Sequence, residues 1–177
     1  VTFALILAAC ALGAIVWGSL FEWTLHRFVM HRPFLGMTYP YRTHGITHHT
    51  VFGSAKDYHL QDHATKHLVT MAWWNGPVLL LVNAPAAFAA AWITHSWWAI
   101  LPFMATLTSY YVAYEYLHWC MHVPGPRWFQ GTRLFKWIDR HHRLHHLMPM
   151  RNLNVVFPIA DWIFRTRIAR APVPTEG

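Results

Sequence analysis

The sequence predicts an all-α integral membrane protein: one domain, with about three transmembrane helices under a cytoplasmic helical cap. Three observations predict it. Hydrophobic residues make up 55% of the 177-residue chain and charged residues only 12%, too apolar for an ordinary soluble domain of this length. The apolar residues gather into three runs long enough to cross a bilayer as helices. All 14 Lys and Arg residues fall in 26–67 and 127–170, outside those runs, and the positive-inside rule then assigns both segments to the cytoplasm.

The first span covers about 1–25 and closes on Glu22-Trp23-Thr24-Leu25-His26-Arg27-Phe28-Val29-Met30-His31, with Pro33 as a stop. No basic leader or small-residue cleavage motif precedes it, which argues against a removable signal peptide. Residues 34–67 are too polar to span. The second span, about 68–93, contains Pro77 and Pro85, which membrane helices tolerate as kinks. Thr94-His95-Ser96 makes a tight turn into the third span, about 97–117. Trp73 and Trp74 mark one end of this hairpin, and Trp92, Trp97 and Trp98 the other, as aromatic belts do. The cap is therefore 26–67 plus 118–177. Within it, Pro124-Gly125-Pro126 is a turn. Residues 127–140 mix Trp128, Phe129, Leu134, Phe135, Trp137 and Ile138 with basic residues and read as an amphipathic helix on the membrane surface; 161–167 reads as a second. The net charge of +7 follows this topology, and no nucleic-acid partner is expected. Cys10 and Cys120 lie in or near apolar runs and suggest neither a disulfide framework nor a thiolate site.

Chemistry is concentrated in histidine. His141-His142-Arg143-Leu144-His145-His146 puts His142, His145 and His146 on one side of a helix. Three further clusters precede it: His26-x4-His31, His44-x3-His48-His49 and His118-x3-His122. The topology brings all four to one membrane face. Ten imidazoles exceed what one ion can use, so two metal ions are the natural count. Histidines at i and i+4 can chelate one ion from one helix; His44/His48, His118/His122 and His142/His146 fit. His26 and His31 do not, being about 140° apart on an ideal α-helix. The helix must unwind there, or the two must serve different ions.

Glu115-x2-His118-x3-His122 and Asp139-x2-His142-x3-His146 share one spacing, and Glu22 precedes His26 by four. A metal-bound imidazole donates its other N–H to an acceptor, so Glu22, Glu115 and Asp139 are expected to orient ligand rings. The rival reading makes Glu22 or Glu115 direct ligands. His59, His63 and His67 read as a solvated stripe, His95 as structural, and His141 as a neighbour of the site. Trp17, Phe21, Phe103, Tyr110, Tyr111 and Tyr114 are candidates to line a channel. Imidazole suits several transition metals, so the ligand type does not choose among them.

The four motifs in order, with Asn152-Leu153-Asn154 and Asp161-Trp162-Ile163-Phe164-Arg165-Thr166 after the last, resemble the fatty acid hydroxylase/sterol desaturase superfamily. The resemblance covers about 20–167, although many members have two residues, not three, inside the second box, and four spans are common. It implies two iron ions, with zinc as a substitute in purified protein, and O2 as co-substrate. The implied activity is hydroxylation of an unactivated C–H bond of a membrane lipid. It also implies an external electron donor, a ferredoxin or cytochrome b5-like protein, and a metal site on the cytoplasmic side of an inner membrane. A carotenoid hydroxylase or lipid desaturase is the alternative on the same site. A metal transporter or a zinc-holding membrane scaffold is the alternative of another class.

Overall fold

The computed structural model describes residues 2–53 and 56–171, and among them the chain is helical, with one isolated bridge between Phe34 and Met37 and no strand. Helix α1 (Thr2–Leu25) runs straight into a π-helical turn, His26–Met30. After a loop, a second π-helical segment, Tyr41–His48, passes into the single turn α2 (His49–Val51). A 3₁₀ segment, His63–Leu68, precedes α3 (Asn75–Ile93). The turn Trp97–Ala99 leads into α4 (Ile100–His122). Beyond the turn Trp128–Gly131 come α5 (Arg133–Leu147) and the short α6 (Ile159–Ile163).

Two helices are long and apolar enough to cross a membrane, Phe3–Met30 and Asn75–Ile93. The expected third span falls in α4, which is long enough at 23 residues but less apolar. Thr106, Thr108, Ser109, four tyrosines, Glu115, His118 and His122 interrupt it. The second helix also starts later than expected, at Asn75. Pro77 therefore sits in its first turn, where no helical N–H is needed, and does not kink it.

α4 packs against both α1 and α3. The seam is narrow because small residues line it. Ala14 and Ala87 pack with Phe103 and Leu107, and a Cβ on Gly18 would lie 3.1 Å from the Tyr110 ring. Trp17 Nε1 donates to Asn83 Oδ1 at 2.7 Å, tying α1 to α3. The outer faces stay apolar and uncovered: Leu12, Leu81, Trp92, Leu101 and Val112 are all exposed. The cap holds the larger core, where Tyr58, Cys120, Met121, Phe135, Ile138, Val155 and Val156 pack against Tyr110 and Tyr114. Thr132 caps α5 by accepting from Phe135 N. The expected amphipathic helix starts later, at Arg133, and packs Phe135 and Ile138 into the core. The expected second one is corrected: α6 packs on α1 and turns Asp161 fully inward.

Candidate metal centre

The ten histidines converge at the cap end of α1 and α4 and sort into two groups of five. His26, His31, His44, His49 and His145 form one. His48, His118, His122, His142 and His146 form the other. Within each, one ring nitrogen per residue lies within 4.8 Å of all the others. The second group is fully buried; in the first, His31 and His49 are half-buried.

Helix type decides the sorting. In α4 and α5, i→i+4 geometry puts His118 with His122 and His142 with His146. In the two π-helical segments the bonds run i→i+5. His31 N–H donates to His26 O at 3.0 Å, and His49 N–H donates to His44 O. Residues five apart are thus brought to one side, which puts His31 with His26 and His49 with His44 in the first group. The unwinding expected at His26–His31 takes this form. The expected pairing of His44 with His48 is corrected: the π geometry sends them to different groups. Gly45 lets the two π segments touch, since a Cβ there would lie 2.5 Å from Met30 O.

Several imidazoles are held from behind by backbone carbonyls. His26 Nδ1 bonds Leu153 O, His48 Nδ1 bonds Leu68 O at 2.9 Å, His122 Nδ1 bonds Tyr58 O at 2.7 Å and His145 Nδ1 bonds Arg151 O at 2.9 Å. A ring that donates from Nδ1 carries its lone pair on Nε2, and these Nε2 atoms point into the groups.

The carboxylates stand one layer further out than expected. Glu22 accepts from Tyr110 OH (2.6 Å), Asn154 Nδ2 (3.0 Å) and Val155 N. Glu115 accepts from Met71 N at 3.2 Å. Asp139 accepts from Tyr58 OH (3.1 Å) and Arg143 Nε (2.9 Å). None of the three belongs to either histidine group. Each instead fixes the stretch whose carbonyl holds a histidine: Glu22 beside Leu153, Glu115 beside Leu68, Asp139 through Tyr58 itself.

Sequence reasoning missed Asp161. Its carboxylate accepts from Leu153 N (2.9 Å), Asn154 N (2.8 Å) and Thr166 Oγ1 (2.6 Å), and pairs with His141 Nε2 at 3.1 Å. Burial works to raise its pKa, but His141, Thr166 and the two backbone N–H groups together hold it below the ordinary carboxylate value. The signal was available: Asp161 is an acid inside a basic and apolar tail. His141 is accounted for by this pair and lies outside both groups. His63 and His67 are exposed as expected, while His59 Nε2 accepts from Arg143 Nη2 at 2.7 Å. His95 is exposed in the left-handed region, at φ 50°.

The donor set fits metal ions. His142 Nε2 lies 3.2 Å from His122 Nε2 and 3.0 Å from His146 Nε2; His145 Nε2 lies 3.2 Å from both His31 and His49 Nε2. Facing lone pairs repel unless a proton or cation sits between them, and a nitrogen with two such neighbours cannot satisfy both with one proton. An ion with nitrogen bonds of about 2.1 Å separates neighbouring ligand atoms by about 3.0–3.4 Å, close to the spacing observed. His48 Nε2 and His118 Nε2 are buried without any hydrogen-bond partner. Protons are also scarce. Burial, followed by the neighbouring imidazoles, lowers the pKa of His31 to about 2 and drives His44, His142, His145 and His146 well below the usual value. These are neutral, metal-ready imidazoles.

Against the first group lies a half-open apolar crevice of about 60 Å³ between α1, α3 and α4. His26 and Met30 stand at one end, and Gly18, Leu80, Asn83 and Leu107 are among its other walls. Of the expected lining, Phe21, Tyr110, Tyr111 and Tyr114 are present. Two are corrected. Phe103 packs in the Ala14–Ala87–Leu107 cluster, and the Trp17 indole is spent on Asn83. Comparison of the chain with family models, with curated proteins and with solved structures finds no match.

Proposed function

We propose that this protein is a membrane di-iron oxygenase that hydroxylates an unactivated C–H bond of a lipid. The observation that carries the reading is the abutment of an apolar crevice on one of two five-histidine groups. Chemistry on inert hydrocarbon needs both: a dry apolar slot for the substrate and a metal centre at its end. A metal site that served only as a structural clamp has no use for the slot.

Two irons, when bound, supply O2 activation. His26, His31, His44, His49 and His145 would hold one, and His48, His118, His122, His142 and His146 the other. The remaining work belongs to the chain. Carbonyls of Leu153, Leu68, Tyr58 and Arg151 fix ring orientation and tautomer. Glu22 and Asp161 fix the Leu153 stretch in turn, Glu115 the stretch after Leu68, and Asp139 Tyr58. Tyr114 and Met30 help exclude water from the crevice side. Converting a C–H to a C–OH with O2 consumes two electrons and two protons and releases water. The chain carries no flavin, haem or iron–sulfur motif, so an external donor such as a ferredoxin or cytochrome b5-like protein delivers the electrons.

Membrane residence is part of the proposal. It is supported by the two long apolar helices, by the uncovered Leu and Trp side chains along them, and by basic residues confined to one end. That end carries the histidines and is assigned to the cytoplasmic side. The test is turnover in reconstituted bilayers with reductant and isotopically labelled O2. The labelled oxygen should enter a lipid hydroxyl, and its absence over a panel of fatty acyl lipids, sterols and carotenoids would refute the activity.

A further inference from the structure

The crevice beside His26 is walled by polar groups that are already engaged. Both oxygens of Glu22 accept hydrogen bonds. Tyr110 OH donates to Glu22. Asn83 Oδ1 accepts from Trp17, and its Nδ2 donates to Leu79 O at 2.7 Å. The remaining walls that matter here, Gly18, Leu80 and Leu107, are apolar. With Glu22, Tyr110 and Asn83 already engaged, a polar head group placed in the crevice would lose more water contacts than it regains.

The end away from the histidines is plugged. One turn beyond Gly18 on α1, Ala14 is fully buried against Ala87, Phe103 and Leu107, with Leu80 alongside. The Trp17–Asn83 bond closes the α1–α3 side at the same level. At the other end, His26 and Met30 stand where the apolar helices give way to the polar cap.

From these features, and resting on the oxygenase reading above, we propose that the crevice takes one unbranched hydrocarbon chain methyl end first. The plug at Ala14, Phe103 and Leu107 then counts carbons from the methyl terminus to the one presented at His26. Gly18 and His26 are eight residues apart on one helix, about 12 Å, which accommodates roughly ten carbons of extended chain. The position of oxidation is set by distance from the methyl end, and the head group stays outside at the cap. Gly18 is a specificity-determining position because Tyr110 and Leu107 pack directly on its backbone, a Cβ there lying 3.1 Å from the Tyr110 ring, so any side chain would push these two residues into the crevice.

The test uses the full chain in lipid nanodiscs and a pair of long saturated fatty acids, one with a photoreactive diazirine at the methyl end and one with it next to the carboxylate. After irradiation, labelled peptides are mapped by mass spectrometry. The methyl-end probe should label α1 near Gly18 or α4 near Leu107, and the carboxylate-end probe should label the cap. The reverse pattern, or no protection by unlabelled fatty acid, overturns the proposal. Leu107→Ala should move the preferred chain one to three carbons longer, and Gly18→Leu should weaken capture of the original chain at least tenfold. Both variants are checked for unchanged metal content, so that a folding defect is not read as a length effect. Labelling needs no turnover. Correct labelling without hydroxylation would support the crevice assignment and refute the oxygenase reading; hydroxylation with the methyl-end probe mapping elsewhere would do the opposite.

Discussion

If each five-histidine group holds one ion, Gly45→Ala should cost the protein the ion of the first group. The added Cβ would lie 2.5 Å from Met30 O and 3.0 Å from Tyr41 Cδ2. An ordinary carbon–oxygen contact is about 3.3 Å or more, so the two π-helical segments must part by roughly 0.8 Å. A ligand constellation tolerates only about 0.5 Å before it loosens. Four of the five nitrogens of the first group come from these two segments and the residues that cap them, His31 and His49, whereas the second group takes only His48 from them. Affinity at the first group should therefore fall by about 10- to 100-fold, the usual effect of disturbing what supports a metal ligand. The second group should fall far less. Overpacking should also lower stability by about 1–3 kcal/mol. The assay is elemental analysis after dialysis against a graded series of chelator, with thermal unfolding measured alongside. Loss of one ion at chelator concentrations where the parent protein keeps both is the expected result. Retention of both at parental chelator resistance would refute the argument that close π–π packing builds the first group.

Other outcomes follow from the same geometry. His31→Ala and His142→Ala should each halve the metal content but leave complementary ions, distinguishable by exchange rate, because His31 is half-buried and His142 wholly buried. Glu22→Ala would take the acceptor from Tyr110 OH and Val155 N, while Asn154 Nδ2 keeps Ser19 O at 2.8 Å; thermal unfolding should show a loss of about 2–4 kcal/mol. Metal-free protein should be acid-sensitive. Burial, only partly offset by the Leu68 carbonyl, lowers the folded pKa of His48 to about 4 from 6.5. Between those values the unfolded chain binds more protons, so stability is present above about pH 6.5 and is lost as pH falls toward 4. Metal-loaded protein should hold its midpoint further into acid, and identical pH profiles with and without metal would count against ligation by these histidines.

The ten histidines were legible because ligand spacing on a helix is a local property. His118/His122 and His142/His146 needed only the 3.6-residue period. His44/His48 was misassigned because π-helical hydrogen bonding depends on tertiary packing, here the approach of Gly45 to Met30, and residue spacing alone does not reveal it. The odd spacing of His26 and His31 did signal that α-helical geometry fails there. Orientation of the rings was hidden for a different reason: the acceptors are backbone carbonyls of Leu153, Leu68, Tyr58 and Arg151, and every residue has a carbonyl. The carboxylates were correctly singled out as costly in apolar surroundings but placed one layer too close. Phe103 looked like lining but packs with Ala14, Ala87 and Leu107, since aromatic content does not tell a cavity wall from the packing behind it. The third span was read as an apolar run flanked by tryptophans, yet Tyr110, Tyr111, Tyr114, His118 and His122 on it face the site and dilute its apolarity.

On the oxygenase reading, the two five-histidine groups hold a pair of irons that react with O2. Elemental analysis of protein from iron-supplemented cells, with Mössbauer spectra before and after dithionite and then O2, tests it most directly. The account predicts two irons per chain, one for each group, reduced by dithionite and reoxidised by O2. Zinc that persists through iron loading, with no response to O2, would contradict it.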